Sequence, residues 1–338
     1  MIKQIYELEL PWEKLKNAKI LVTGANGMIA SRLVETLLET SEKKKLNLEV
    51  FAMCRNHKNA EKSFAKFKDN KNLHIIIADV TTPLTLNIDF QFIIHAASSA
   101  HPDAFNNTPV DVMKANFIGT LNLLEYVANH KGTRFMFVSS SEIYGENIDR
   151  KELFTETDKG VIDCTTFRSC YPESKRASET LCMSYKKQYN ADVIIVRPAY
   201  IYGKNILESN NRADVYFLRQ VLNKKNIIMY SKGTQIRSYC YVDDCVAGML
   251  YALLLGTNGE VYNIGNEECT VTLWDYAQKL ANAAKVKLCY EPSNKPEDKV
   301  FLKTTQCILN TAKLRKLGWK PQYDLGTGIK KYIRYIDY

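Results

Sequence analysis

The amino-acid sequence predicts an α/β fold: a doubly wound parallel sheet carrying a smaller C-terminal lobe. Three observations lead there. Up to about residue 199, short β-branched runs alternate with longer segments of helical spacing, the signature of successive βαβ units. The short runs are apolar almost throughout, as in strands covered on both faces. A glycine-rich turn stands between the first strand and the first helix.

The elements follow in order. Lys19–Thr23 reads as the first strand, with helical spacing at Leu33–Leu38 behind it. Leu48–Met53, His74–Ala78 and Phe92–His95 read as the next strands. A long amphipathic helix is expected over Val110–Asn129, a strand over Phe135–Ser139, a helix over Tyr171–Tyr189 and a strand over Val193–Val196. Residues 1–16 are then an extension and 17–198 the sheet domain, to which 238–264 is expected to return. Residues 199–237 and 265–338, where the alternation lapses, form the lobe.

Composition narrows the classes. No apolar run approaches the ~20 residues of a membrane helix; the longest, Ala247–Leu255, reads as a buried helix. Residues 1–18 lack a secretory apolar core. Nine cysteines, an odd number without a C-x-x-C pair, point to reduced thiols in a cytoplasm, with neither a disulfide framework nor a metal site. The net charge of +9 is spread along the chain, so it reads as a solvated basic surface, with no nucleic-acid motif beside it.

The turn reads Thr23-Gly24-Ala25-Asn26-Gly27-Met28-Ile29-Ala30. A dinucleotide pyrophosphate needs backbone N–H groups at a helix N-terminus with no side chain in the way. Gly24 permits the turn and Gly27 the close approach, which makes this a Rossmann nucleotide loop. An acid is expected at the end of the second strand for the adenosine ribose, but Cys54 stands there, followed by Arg55. Arg55 can pair with a 2′-phosphate, stack on adenine, or simply be solvated. The expected cofactor is NAD, with NADP possible. Asp79 and Val80, closing the third strand, suit the adenine edge.

Tyr171-Pro-Glu-Ser-Lys175 puts a phenol and an ammonium on one helical face. A tyrosine of ordinary pKa ~10 is a poor base at neutral pH, and a neighbouring positive charge improves it. Upstream, Ser139-Ser140-Ser141-Glu142 ends a strand, where ligands of such sheets bind. Ser140 can share a substrate proton with Tyr171, and Glu142 offers a second acid/base group.

Together these residues resemble the extended branch of the short-chain dehydrogenase/reductase family, from about Lys19 to Pro321. The likeness runs through His95-Ala96-Ala97, Asn116 before Gly119-Thr120, Arg197-Pro198, Tyr241-Val-Asp-Asp244 and Leu317-Gly-Trp-Lys-Pro321. It implies a nicotinamide cofactor recycled within one turnover, a nucleoside-diphosphate sugar held by the lobe, and a homodimer through two long helices. It implies further cofactor contacts at Ala96, Ala97, Ser98, Asn116, Ser139 and Pro198, and substrate contacts at Ser99, His101, Tyr200, Asn205, Arg237 and Gln306. Three segments are most similar to the UDP-glucuronate decarboxylase group: Asp79-Val-Thr-Thr-Pro83-Leu84, His95-Ala-Ala-Ser98-Ser-Ala100-His-Pro102, and Arg168-Ser-Cys170-Tyr171 through Thr180. The chain departs from the family at Tyr200, where asparagine is frequent, and at Gln306 and Asn310, where Arg and Asp are more usual.

The expected chemistry is removal of the sugar 4-hydroxyl proton by Tyr171 as hydride leaves C4, followed by decarboxylation of the 4-keto sugar. 4-Epimerisation and 4,6-dehydration are the alternatives within this class. A dinucleotide-sensing regulatory protein is the alternative outside it, and it has no need of Ser140, Tyr171 and Lys175.

Overall fold

Where the sequence offers continuous apolar runs it forms strands, buried on both faces except at 73–77, where Ile75 and Ile77 are 38 % and 46 % exposed at the sheet edge. The computed structural model describes residues 2–149, 151–205, 210–292 and 306–334, with Gln306 described by its backbone alone. The first half gives β1 (Lys19–Thr23), α1 (Met28–Lys44), β2 (Glu49–Cys54), α2 (His57–Phe64), β3 (Leu73–Ile77), β4 (Phe92–His95), α3 (Pro102–Asn107), α4 (Pro109–Asn129) and β5 (Arg134–Val138). Then come α5 (Cys170–Tyr189), β6 (Asp192–Pro198), β7 (Tyr200–Tyr202), α6 (Ala213–Leu222), β8 (Ile227–Met229), β9 (Ile236–Tyr241), α7 (Val242–Leu255) and β10 (Val261–Ile264). The chain closes with β11 (Thr270–Thr272), α8 (Leu273–Ala284), β12 (Leu288–Tyr290), β13 (Gln306–Cys307), α9 (Ala312–Arg315) and α10 (Leu325–Arg334).

Seven strands form one parallel sheet in the order β10-β6-β5-β4-β1-β2-β3. From β1 the chain winds outward through β2 and β3, then returns to β4 on the other side. That reversal opens a crevice at the carboxyl ends of β1 and β4, where Thr23 pairs with His95. Leu33, Leu37, Val246 and Leu250 pack on one face of the sheet, and Leu123, Val127, Cys182 and Tyr185 on the other. Residues before β1 belong to the first of these layers: Ile5, Leu10, Trp12 and Leu15 are buried in it, and Lys14 Nζ donates to the Leu254 carbonyl at 2.7 Å.

In the lobe, β7, β9, β11 and β13 form a small sheet and β8 pairs with β12. Its core is aromatic. Tyr239 and Tyr276 stack at 4.1 Å, with Tyr202 edge-on to both and to Tyr332. The lobe is tied back through α7: the Asp244 carboxylate accepts the N–H groups of Gln322 and Tyr323 at 2.8 and 3.0 Å. Among the described residues no helix is long and apolar enough to cross a membrane.

Candidate active site

The nucleotide loop is shaped by its two glycines. Gly24 has φ +63°, and a Cβ there would lie 2.6 Å from the Ala97 Cα, so any side chain would push the loop away from the end of β4. Gly27 is the N-cap of α1 and provides no side-chain cap, which leaves the first amides of a 17-residue helix for an anion. Gly24, Asn26, Gly27, Met28 and Ile29 line this end and stay partly open.

Further along the crevice, two buried polar atoms have no partner among the described residues, Ser98 Oγ and Asn116 Oδ1. His95 Nδ1 lies 2.8 Å from Thr23 Oγ1. Burial, with Lys175 nearby, pushes the imidazole down to about 3, so it is neutral. Asn116 reaches from α4 to Ser174 Oγ on α5 at 2.9 Å. Asp79 sits at the other end. Burial acts to raise its pKa, but hydrogen bonds from the Thr81 amide and hydroxyl, with Arg55 nearby, hold the carboxyl below its ordinary value. Val80 packs beneath Gly119. Ala96 and Ala97 stay half-open beside the loop, and Pro198 is buried at the end of β6. An uncapped helix end, a cradle without side chains and unpartnered donors and acceptors fit a dinucleotide.

The catalytic candidates gather at the end of β5 and the start of α5. Tyr171 is 6 % exposed, packed against Phe105, and its hydroxyl is hydrogen-bonded to Ser140. Burial and Glu142 raise the phenol's pKa, while Ser140, Arg212 and Arg168 pull it down. Ser140 Oγ also accepts the Glu142 N–H at 3.1 Å, which turns this segment back toward α5. Ser141 is buried in the same short helical turn.

Lys175 departs from the simplest reading of its spacing. It shares a face with Tyr171, but its Nζ donates to the Val138 carbonyl at 2.7 Å and lies 5.8 Å from the Tyr171 ring centre. Burial pushes the ammonium down to about 7 against the attraction of Glu179. The end of β5 offers the amine a free carbonyl closer than the phenol, and the cations acting on the phenol are arginines instead.

Arg168 is the site residue to which the sequence reading gave no role. Its Nη2 donates to Glu142 Oε2 at 3.1 Å and its guanidinium covers the Phe105 ring at 4.3 Å. Its Nη1 is buried without a partner among the described residues. The signal lay three residues before Tyr171, but an isolated arginine in a short turn has no pattern to mark it.

On the lobe side, Arg237 on β9 stacks over Tyr200 at 4.7 Å, and burial raises the Tyr200 phenol's pKa while Arg237 acts to lower it. Ser99 lies on the half-open loop before α3. His101 caps α3 through Ala104, and burial lowers its pKa, as does Arg212. Asn205 points elsewhere, to Ser31 Oγ at 2.9 Å on α1, and so ties the lobe to the nucleotide helix. Gln306 pairs through its backbone with Ile236, and its side chain lies outside the described residues. Next to it Cys307, 4 % exposed, directs its thiol to the Ser141 carbonyl, and burial together with Glu142 pushes it up to about 12.

This fold and this cluster define a class of enzymes. Residues 20–265 match the model of the NAD dependent epimerase/dehydratase family, and the chain belongs to that family, a division of the extended short-chain dehydrogenases/reductases. Among its relatives, UDP-glucuronic acid decarboxylase 3 of Arabidopsis thaliana is 32 % identical over 316 residues, covering 93 % of this chain and 87 % of the relative. UDP-glucuronic acid decarboxylase 1 of Danio rerio is 29 % identical over 324 residues, 94 % of this chain and 72 % of the relative. The fold matches a UDP-glucuronic acid 4-epimerase from Bacillus cereus with a TM-score of 0.79 at 24 % identity, covering 94 % of this chain and 99 % of that one. A dTDP-glucose 4,6-dehydratase from Bacillus anthracis matches with a TM-score of 0.79 at 21 % identity over 95 % of this chain and 96 % of that one.

Proposed function

We propose that this enzyme converts a nucleoside-diphosphate sugar bearing a C5 carboxylate, UDP-glucuronate in the first instance, to its decarboxylated pentose. One observation carries the choice: Arg168 holds Glu142 with one guanidinium nitrogen and keeps the other buried without a partner. A buried unpaired guanidinium donor is costly, and one oxygen of a substrate carboxylate would satisfy it with a charge-assisted hydrogen bond. The decarboxylases among the chain's relatives support the same reading.

The residues divide the work as follows. The loop Gly24–Ile29, Ser98, Asn116 and Asp79 would hold NAD. Bound NAD supplies a hydride acceptor and donor for C4 and a positive ring that favours the Tyr171 phenolate. Tyr171, hydrogen-bonded to Ser140, takes the proton of the 4-hydroxyl. With C4 a ketone, the C5 carboxylate is a β-keto acid and leaves as carbon dioxide, its C–C bond electrons forming the enolate. Glu142, hydrogen-bonded by Arg168, would return a proton to that carbon. Arg237, stacked on Tyr200, would bind the diphosphate, and Ser99 and His101 would contact the sugar nucleotide.

The proposal extends to assembly and cellular setting. The outward face of α4 and α5 exposes Val110, Met113, Phe117 and Met183, an apolar stripe suited to a homodimer. Nine free cysteines support a cytoplasmic setting.

The test is incubation with UDP-, GDP-, CDP- and dTDP-sugars in deuterated water with mass and NMR analysis. A UDP-pentose with deuterium at C5 is expected. A product that keeps its carboxylate and carries no deuterium at C5 would favour 4-epimerisation instead.

A further inference from the structure

The adenosine end of the dinucleotide crevice differs from the rest in one respect. In sheets of this type a carboxylate at the end of the second strand accepts the ribose 2′-hydroxyl, whereas an arginine nearby accommodates a 2′-phosphate. Here β2 ends at Cys54, in register with Ile77 of β3. The preceding carbonyl, of Met53, accepts the Ala25 N–H at 3.1 Å, so the end of β2 borders the nucleotide loop directly. Cys54 is 2 % exposed and lies against the backbone of Asn26 and Ala25, and burial pushes its thiol up to about 11. It is therefore neutral and puts no negative charge at this corner.

The next residue, Arg55, is exposed. Asp79 lies near enough to feel its charge, but one Asp79 oxygen already accepts the Thr81 amide and hydroxyl at 2.9 and 2.8 Å. The turn continues through Asn56, which caps α2 by accepting the Asn59 N–H at 2.9 Å, then His57 and Lys58. From Cys54 to Ala60 there is no acid. The exposed Arg55 and the amino end of α2, where Glu61 pairs with His57 at 3.3 Å, thus follow directly on the strand end that borders the nucleotide loop.

We infer that this corner admits a 2′-phosphate, so that the chain binds NADP as well as NAD, with Arg55 reading the phosphate. The inference rests on the reading of Gly24–Ile29 as the pyrophosphate site. A planar guanidinium matches phosphate oxygens in a fork, and a buried neutral thiol, unlike a carboxylate, neither repels the phosphate nor demands a hydroxyl.

Binding alone tests it, by titrating the cofactor-free protein with NADH and NADPH and following nicotinamide fluorescence. The two dissociation constants are expected within about tenfold of each other. Arg55→Ala should weaken NADPH by ~10–100-fold, the scale of lost charge-assisted hydrogen bonds, and NADH far less. Cys54→Asp should weaken NADPH selectively by returning a negative charge to the ribose corner. NADPH binding more than ~100-fold weaker than NADH in the natural protein would overturn the inference, as would equal losses of both in Arg55→Ala. Binding of neither would overturn the pyrophosphate site itself, and the inference with it.

Discussion

Tyr171 and Lys175 have different hydrogen-bond partners, Ser140 and the Val138 carbonyl, and single substitutions separate their contributions. Tyr171→Phe removes the hydroxyl proposed to take the proton and keeps the ring against Phe105. Turnover should fall by at least ~10²-fold with dinucleotide affinity nearly unchanged; activity near that of the natural protein would remove Tyr171 from the mechanism. Lys175 sets a pH dependence. The unfolded chain keeps this proton up to about 10.5, whereas the folded, cofactor-free chain releases it near about 7. Between those values the unfolded state binds more protons, so the lysine's cost is greatest below pH 7 and is relieved as pH rises. Measured against Lys175→Met, the natural protein should gain roughly 2–3 kcal/mol between pH 7 and 9 in denaturant titrations; a constant difference would show that the ammonium is solvated. At this scale Y-x-x-x-K spacing made Tyr171 and Lys175 legible in the sequence. What it left out was the competing acceptor at Val138, because no local pattern reports which carbonyl a folded strand leaves free.

Between elements, the contact that sets the site is the joint of α5, β6 and the end of β5. Glu179 takes Arg197 Nε at 2.9 Å and Nη2 at 2.6 Å and also accepts Ser139 Oγ at 2.5 Å. Arg197 continues to the Tyr144 hydroxyl at 2.8 Å. One carboxylate thus fixes the helix that carries Tyr171 relative to the turn that carries Ser140. Glu179→Ala should cost about 3 kcal/mol, as expected when a buried pair loses one partner, and should lower kcat through misplacement of Ser140. Unchanged denaturation would show that water replaces the carboxylate. Six of the seven strands of the large sheet were readable as short, mainly apolar runs; β1 and β4 lie at Lys19–Thr23 and Phe92–His95, as their sequence predicts, whereas β10, Val-Tyr-Asn-Ile, is interrupted by Asn263. The lobe was not. Its strands β7, β8, β11 and β12 are three residues each, too short for periodicity to separate them from turns, and their partners come from distant sequence.

At the scale of the molecule, the same helices that build the site turn an apolar stripe outward. Val110 is 59 % exposed and Met113 45 %, with Phe117 one turn further along α4. If two copies meet there, Phe117→Glu buries an unpaired charge in the contact. Sedimentation should then show the dimer dissociating at concentrations at least ~10²-fold higher than for the natural protein, in keeping with the loss of an aromatic anchor. An unchanged profile would place the contact elsewhere. The order of the sheet has a consequence for biogenesis as well. Its edge strand, β10, pairs with β6, and α7, made just before it, fills the apolar face beside α1. At translation rates of roughly 5–20 residues per second, seconds pass between the emergence of β6 and that of β10. During that interval β6 presents an unpaired edge and α1 an uncovered flank, both open to pairing with another chain. A nascent polypeptide stalled before Val242 therefore exposes both surfaces, and slowing translation across α7 and β10 should lower soluble yield without altering the finished enzyme.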